Sequence, residues 1–329
     1  MLMSLSTGCA ADPPATVAQL EANEHDWLAS LGGLHAIYTI TEPFLNPAIK
    51  RQFPHLNVTY TAIAETWVAT DDARYRYETR LDQGSIAAAV TQLSSAAGGP
   101  VSPRRLYKTF DDSILVRSRS RSEYLDLGDG RLNVRWLPTS PNPLVPVPPL
   151  RAEDNMQPLL SGIITTILRP NGVDLSGRYS NPLTLPGPMP GVSFSQEQAK
   201  RIDTDHATLA FHVALSHATA EGQLEYHLSL ARHGGADGRW LIERIQVDSP
   251  DTDGVSEVTT IAWRDLPGTH VGAAPERIVE TALDDAPRVS QATTLEVLPS
   301  FPPRTWSVDP MLAKIMYDET AEMEIVPSP

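Results

Sequence analysis

Histidines are the side chains of this sequence best suited to bind a metal ion. Five of the nine lie in one stretch: His206, His212, His217, His227 and His233. If the chain turns near Ala220, His212 and His227 lie across from each other on neighbouring antiparallel strands and share a face, a spacing that can hold a metal ion. The pattern places neither a carboxylate nor a third histidine beside them. Surface histidines are therefore the favoured interpretation, and no metal site is predicted.

Two charged segments could also bind a ligand, but each has a simpler explanation. The loop 248–257, which includes Asp251 and Asp253, spaces its oxygen atoms as a calcium loop does, yet aspartate and glycine are also the usual residues of a hairpin turn. Three arginines alternate with serines in one predicted strand: Arg117, Arg119 and Arg121. Their guanidinium groups would share one side of that strand, where they could bind an anionic headgroup or an acidic protein face. A hairpin turn and a solvated strand face are the favoured interpretations.

The sequence contains no motif for covalent or metal-dependent catalysis. It has no Gly-x-Ser-x-Gly, no His-Glu-x-x-His and no Asp-Thr/Ser-Gly pair. The glycines at 234–235 and 128–130 fall between predicted strands rather than before a helix, so they indicate turns and not phosphate-binding loops. We therefore predict a protein that is not an enzyme and that needs no cofactor or metal.

Composition limits the class of protein and its partners. Of the 329 residues, 41% are hydrophobic and 20% are charged, which is typical of a soluble globular fold. The net charge of −14 repels phosphate backbones, so nucleic acid is not an expected partner. The single cysteine, Cys9, excludes an intramolecular disulfide.

Cys9 lies in a context that resembles the cleavage box of a bacterial lipoprotein, because small residues precede it in the run LSTGCAA. Residues 1–14 are interpreted as a shortened lipoprotein signal and tether, with lipid attached at Cys9; a free thiol is the alternative. No other stretch approaches the roughly 18 apolar residues of a membrane span. We therefore expect a periplasmic protein that is held to a bacterial membrane through a lipid anchor alone, with the outer membrane favoured over the inner one.

Strand patterns fill most of the chain. Helical spacing of apolar residues at 15–31 predicts an amphipathic N-terminal helix that Gly32 and Gly33 end, and a short helix is predicted near 85–97. Strands are predicted at 34–42, 58–70, 74–81, 106–110, 114–121, 124–127, 132–137, 207–218, 222–232, 239–248, 255–264, 277–283 and 293–298. Tight turns between the four strands from 207 to 264 allow only antiparallel pairing. The last segment, 311–317, is predicted to be helical.

A second apolar helix is predicted between two proline-rich connections, at 138–149 and 181–191. Its apolar residues recur at intervals of three and four, and they are the candidate pocket residues: Met156, Leu159, Leu160, Ile163, Ile164 and Ile167. Such a helix is too apolar for solvent, so another part of the fold must cover it.

The order of these elements resembles the superfamily of periplasmic lipoprotein carriers and outer-membrane lipoprotein receptors, known as LolA and LolB. The segment 67–78, WVATDDARYRYE, is similar to the strand, turn and arginine-containing strand of that superfamily. The resemblance implies an α+β fold that is mainly antiparallel β: a curved meander sheet, or half-barrel, with helices packed on its concave face.

The resemblance also implies a domain plan and a function. Residues 15–265 would form the carrier-like half-barrel and residues 266–329 a C-terminal extension. The protein would be an envelope lipoprotein that binds a lipid or acyl chain in an apolar pocket between sheet and helix. The alternative is an envelope scaffold that contacts a protein partner and has no small-molecule ligand.

Overall fold

In the described part of the chain, sixteen strands join into one sheet with one α-helix beside it. The computed structural model describes residues 12–14, 19–20, 23, 27, 30, 33–43, 53–69, 74–100, 112–117, 121–136, 192–196, 199–217, 220–233, 238–249, 254–269, 271–282, 286–318 and 323–325. The helix α1 spans Gln83–Ala97, and 3-10 turns lie at Pro303–Trp306 and Pro310–Leu312. The strands are β1 Leu34–Pro43, β2 Thr59–Ala69, β3 Arg74–Leu81, β4 Ser113–Arg117, β5 Arg121–Asp126, β6 Arg131–Trp136, β7 Val192–Gln196, β8 Lys200–Arg201, β9 His206–His217, β10 Ala220–His233, β11 Arg239–Ser249, β12 Gly254–Leu266, β13 Gly272–Ala282, β14 Arg288–Val297, β15 Ile315–Asp318 and β16 Met323–Ile325.

The sheet is a long meander whose two halves meet at β1. Its order is β16-β15-β6-β5-β4-β3-β2-β1-β14-β13-β12-β11-β10-β9-β7, and β8 also pairs with β9. Every pair is antiparallel except β15 with β6, which is parallel. Among the described strands no pairing joins the two ends, so the sheet is open there. The prediction of a mainly antiparallel sheet is confirmed, whereas the predicted concave curvature stays a prediction.

Alternation along the strands gives the sheet one strongly apolar side, which we call the buried face. On β1, Leu34, Ala36, Tyr38 and Ile40 are fully buried, while the residues between them are partly exposed. The same side continues across the other strands, and its residues form the largest core cluster. Burial of alternate apolar residues supplies the main driving force for a sheet of this kind.

Helical residues from the N-terminal segment pack into this core. Leu20 and Trp27 are helical and each is 1% exposed, as the predicted amphipathic helix requires of its apolar positions. The Trp27 indole N–H donates to the Ala273 carbonyl at 2.9 Å. Its ring meets the edge of Trp263 at 5.1 Å, so the segment is held against β12 and β13 by aromatic contacts and a hydrogen bond.

Helix α1 packs on the same side of the sheet. The Asp82 carboxylate caps its first turn by accepting from the Gly84 and Ser85 amides, and Gly98 ends it in a left-handed conformation. Its buried residues form a second cluster with the start of β2: Ile86, Ala89 and Leu93 with Val58 and Tyr60. Residues of two helical segments therefore contact this side of the sheet in the described part of the chain.

The opposite side of β4 to β6 is covered by the C-terminal segment 303–313, which we call the strap. Val308 of the strap is 3% exposed and packs with Ile114, Val116 and Leu132. Its backbone N–H donates to the Glu123 carboxylate at 2.7 Å. The strap thus closes an apolar patch that the strands alone would leave in water.

Three sequence predictions need correction or qualification. The predicted strand 114–121 is wrong, because β4 and β5 are antiparallel with Arg117 opposite Ser122. Arg117 and Arg121 therefore lie on different strands, Arg119 is outside the described residues, and Arg121 pairs with Glu123 at 2.5 Å. The helix predicted at 311–317 is also wrong, since that segment ends its 3-10 turn and enters β15.

The sheet also runs across the predicted boundary at residue 265. β13 and β14 follow that boundary in the chain and lie between β12 and β1 in the sheet. The division into residues 15–265 and 266–329 stays a prediction about domains. The predicted strand 106–110 and the proline-rich connections lie outside the described residues.

Gly33→Ala is expected to destabilise the fold by at least about 2 kcal/mol, because Gly33 combines a left-handed backbone with close approach of another strand. Gly33 has φ 78°, and a Cβ there would lie 2.0 Å from the Leu298 carbonyl oxygen. Gly268→Ala is the matched control, since Gly268 has φ 77° and open space around it. Equal losses in urea denaturation for the two variants would contradict the steric argument.

Candidate functional site

A charged cluster lies at one end of the buried face. Glu42 follows Tyr38 and Ile40 at alternate positions of β1, so its side chain falls on the same side as theirs. Arg288 is the first residue of β14 and lies opposite Glu280 of β13. On the other side of β14, Val289 pairs with Thr41 of β1, which brings Arg288 beside Glu42. Strand register therefore brings three charged residues from distant parts of the chain together, as the Glu–Arg–Glu cluster of Glu42, Arg288 and Glu280.

Arg288 bridges the two carboxylates of this cluster. Its Nη1 donates to Glu280 Oε2 at 2.7 Å, and its Nε lies 3.3 Å from Glu42 Oε2. The side chains of Arg288 and Glu280 are 29% and 32% exposed, whereas that of Glu42 is 14% exposed. The cluster thus reaches from the apolar side of the sheet to solvent.

Glu42 is the group whose ionisation the environment changes most strongly in this cluster. Burial raises the pKa of Glu42 to about 7; Arg288 opposes this shift and the nearby Glu280 carboxylate adds to it. The effect of burial is larger than that of Arg288. Near neutral pH the Glu42 carboxyl is therefore divided between its protonated and ionised forms.

Polar groups around the cluster leave hydrogen-bonding capacity unused in the described part of the chain. The hydroxyl oxygen of Ser290 is buried there without a hydrogen bond, and Glu42 Oε2 meets Arg288 Nε at the long distance of 3.3 Å. Ser290 is 1% exposed and follows Arg288 at the next position on the same side of β14. Buried polar atoms normally find a partner, so a water or ligand at the Ser290 hydroxyl would gain a hydrogen bond.

Tyrosines border the cluster on the β2 and β3 side. Tyr60 is the register partner of Glu42 and also belongs to the apolar cluster under α1. Burial raises the pKa of Tyr77 to about 12, with Arg288 and Glu42 acting on it electrostatically, so its hydroxyl stays protonated. The site combines an apolar floor, a helix on one side and a small set of polar groups.

Glu42→Gln is expected to stabilise the protein at pH 8 and to change little at about pH 4.5. Because the pKa of Glu42 rises from 4.5 to about 7 on folding, its ionisation lowers the free energy of unfolding as pH rises through that window, by on the order of 2–3 kcal/mol at pH 8. Glutamine removes that cost. Urea denaturation at both pH values measures it, with Glu296→Gln, a carboxylate on the opposite side, as control. Equal stabilisation at both pH values would contradict the assignment.

Most of the site residues predicted from the sequence lie outside the described residues. These are Cys9, Asp251, Asp253 and the six pocket residues Met156, Leu159, Leu160, Ile163, Ile164 and Ile167. None of them is brought into or excluded from the cluster. The sequence patterns did not single out Glu42, Glu280 or Arg288; alternation from Tyr38 to Glu42 was the available signal.

The two histidines considered for a metal site share one face, as predicted, but their register differs. His212 pairs with Glu225 and His227 with Ala210, so the histidines are diagonal. The Glu225 carboxylate lies 3.4 Å from His212 and 3.8 Å from His227, and Asp248 lies 3.4 Å from His227. The expectation that no carboxylate accompanies them was wrong. Even so, no three metal-ligating side chains in the described ranges are arranged to hold a metal ion.

A cavity of about 500 Å³ lies on the other side of the sheet, between β2, β3 and the strap. Trp67 and Arg76 form its floor, with the guanidinium over the indole at 5.6 Å. Arg76 also donates to the carbonyls of Thr305 and Ser307 at 3.2 and 2.9 Å, so its charge is used to hold the strap. This cavity is separate from the Glu–Arg–Glu cluster.

None of the helices in the described residues is long and apolar enough to cross a membrane. Searches with protein-family models and among curated proteins find no match to the chain. Among solved structures, the chain is similar to the crystal structure of the LolA superfamily protein NE2245 from Nitrosomonas europaea, with 8% identity and a TM-score of 0.36. The match covers 88% of this chain and 97% of that chain.

Proposed function

We propose that the protein is a non-enzymatic envelope lipoprotein that binds a lipid or acyl chain against the buried face of its sheet. The observation that carries the proposal is the Glu–Arg–Glu cluster at one end of the apolar face, beside the Ser290 hydroxyl, which is buried without a hydrogen bond in the described residues. Sites for small amphipathic molecules combine an apolar lining with a few polar groups that fix orientation.

The surroundings of the cluster support an amphipathic ligand rather than a purely polar one. Ile40 is fully buried beside Glu42 on β1, and Ile278 is 4% exposed beside Glu280 on β13. A hydrocarbon chain gains about 0.8 kcal/mol for each CH₂ group it removes from water. The polar head would then meet the charged groups at the exposed end, while the chain lies over the apolar residues.

The apolar helix predicted from the sequence is the proposed second wall of this pocket. Its candidate lining residues are Met156, Leu159, Leu160, Ile163, Ile164 and Ile167, at the spacing of one helix face. Cys9 is the proposed point of lipid attachment, which would hold the protein at the periplasmic side of a bacterial membrane, the outer one being favoured.

Native mass spectrometry of protein purified without detergent tests the binding function. We expect a mass increment from one bound lipid, which is lost after extraction with organic solvent. We also expect the stripped protein to bind a fluorescent acyl probe that unlabelled lipid displaces. Finding neither a bound lipid nor displacement would refute lipid binding and would favour the scaffold alternative.

Fractionation of cells that produce the Cys9→Ser variant tests the anchor separately. The unchanged protein is expected in the membrane fraction and the variant in the soluble periplasmic fraction. A variant that stays with the membrane to the same extent would refute attachment at Cys9.

A further inference from the structure

We propose that the cavity between β2, β3 and the strap binds a small organic anion, whose carboxylate meets Arg304 and whose apolar part lies against Trp67. We call this site the strap cavity. It lies on the opposite side of the sheet from the Glu–Arg–Glu cluster, so its ligand is distinct from the lipid of the proposed function and does not depend on it.

The strap cavity has the size of a site for a small molecule and is open to solvent at its rim. Its volume is about 500 Å³, and small-molecule sites usually measure about 300–1,000 Å³. Among its lining residues, Val308 is buried and Arg76 and Glu78 are nearly so, whereas Arg304 and Pro310 are exposed. A ligand can therefore enter at the rim and bury part of its surface.

Arginines are in local excess on this side of the sheet. Alternation along β3 places three arginines and one glutamate on its outer side: Arg74, Arg76, Arg80 and Glu78. Arg304 adds a fourth guanidinium, while Asp309 of the strap and Glu65, the register partner of Glu78, bring the carboxylates to three. In a chain with a net charge of −14, four guanidinium groups against three carboxylates reduce the repulsion that an anion would otherwise meet.

Arg304 is the guanidinium that is available to a ligand. Arg76 is already committed, because it donates to Glu78 at 2.7 Å and to two carbonyls of the strap at 3.2 and 2.9 Å. The Arg304 guanidinium makes no hydrogen bond or ion pair with the residues that the structure describes. Asp309 is partly satisfied, since it accepts from the Met311 amide at 2.9 Å. A carboxylate would gain charge-assisted hydrogen bonds from Arg304 without breaking an existing pair.

Trp67 and Pro310 supply the apolar contact. Trp67 is half-buried, with the His35 ring stacked on it at 5.2 Å and the Arg76 guanidinium over it at 5.6 Å. Its neighbours on β1 and β3 therefore hold the indole in place before a ligand arrives, and a fixed wall loses little freedom on binding. A ring or short chain that covers Trp67 and Pro310 removes apolar surface from water.

Fluorine NMR of the full chain labelled with 5-fluorotryptophan tests the proposal. The six tryptophans give six signals, and the signal that is lost in Trp67→Phe identifies Trp67. We expect phenylacetate to shift this signal saturably. Phenylacetamide, its uncharged analogue, should need at least about fivefold higher concentration. Acetate, which has the charge without the ring, should need at least about tenfold higher concentration. The signal of the buried Trp240 should stay unchanged.

Arg304→Gln tests whether this guanidinium selects the anion. Because the side chain is exposed, the variant should fold normally, and it should bind phenylacetate and phenylacetamide about equally. Arg304→Lys should restore part of the preference, since it keeps the charge and loses the planar pair of donors. Arg244→Gln is the matched control, because Arg244 is an exposed arginine of β11 that donates to Gln246 and lies away from the cavity. This control should keep the full preference.

Several results would overturn the proposal. The strap cavity is not the site if phenylacetate fails to shift the Trp67 signal saturably. Selection by charge is refuted if phenylacetamide binds as well as phenylacetate, or if the preference survives in Arg304→Gln. Contact with the apolar wall is refuted if acetate binds as well as phenylacetate. None of these results bears on lipid binding at the buried face, which is measured with a bound lipid and an acyl probe.

Discussion

Trp27→Ala is expected to lower the free energy of unfolding by about 3–5 kcal/mol, the range for truncation of a fully buried aromatic residue. Trp27 is 1% exposed, and its loss would leave a cavity against Trp263 and the Ala273 carbonyl without its donor. The hydrogen bond joins residues 246 positions apart in the chain. The variant therefore tests whether the N-terminal helical segment stabilises strands β12 and β13.

Urea denaturation measures this loss, with Trp306→Ala as the matched control. Trp306 is partly exposed on the strap, where it contacts Phe301 and Arg74. Its truncation is expected to cost about 1 kcal/mol. Trp27→Phe keeps an aromatic ring and loses the donor, so an intermediate loss of about 1–2 kcal/mol is expected. Similar losses for the alanine variants at positions 27 and 306 would show that the N-terminal segment does not pack as described.

Arg288→Met is expected to destabilise the protein by about 2–3 kcal/mol at pH 8 and by much less at about pH 4.5. At pH 8 the ionised Glu42 carboxylate would face Glu280 without the cation that the two share. The pKa of Glu42 is raised to about 7, so this carboxyl is protonated at the lower pH and the repulsion disappears. The loss therefore grows as pH rises through 7.

A double-mutant cycle separates charge from packing at this position. In the Glu42→Gln background, Arg288→Met removes a cation that has one carboxylate partner instead of two. Most of the extra loss at pH 8 should then disappear, because the repelling pair is gone. A loss that is equal at both pH values, or unchanged in the double variant, would assign the effect to packing of the arginine side chain.

Local alternation predicted much of the fold correctly. The strand predicted at 74–81 is β3 with the same bounds, and four predicted strands between 207 and 264 correspond to β9 to β12. Period-two alternation bounded by turn residues is a strong signal because it depends only on neighbouring positions. The helix predicted at 85–97 likewise agrees with α1, which begins two residues earlier and ends at the same residue.

The predictions were wrong where the local pattern continues through a chain reversal, or where a strand depends on pairing with a distant part of the chain. The alternation of arginine and serine continues across 118–120, so the boundary between β4 and β5 left no break in the pattern. The segment 311–317 is a short apolar run, for which helix and strand are hard to separate. Its strand character at Ile315–Asp318 depends on parallel pairing with residues 131–134, which no local signal specifies.

The candidate site could be anticipated only in part. Alternation from Tyr38 to Ile40 puts Glu42 on the apolar side of β1, which would have marked it as a buried carboxylate. Its partners come from β13 and β14, and their positions follow from the register of β1 with β14. Register between strands so far apart in the chain is a tertiary property, so composition and spacing did not reveal the cluster. For the same reason, the position of Glu225 beside His212 and His227 was not predicted, because it depends on the register of β9 with β10.

Photo-crosslinking tests most directly whether a lipid binds at the buried face. A monoacylglycerol with a diazirine in its chain is bound to the full-length protein and irradiated, and the modified residues are identified by peptide mass spectrometry. We predict saturable labelling at Glu42, Ile40 and Ser290, which unlabelled monoacylglycerol suppresses. Ile63, an exposed residue on the opposite side of β2, serves as the internal control and should stay unmodified. Labelling concentrated at Ile63 or on the strap, or no saturable labelling, would contradict the proposed binding site.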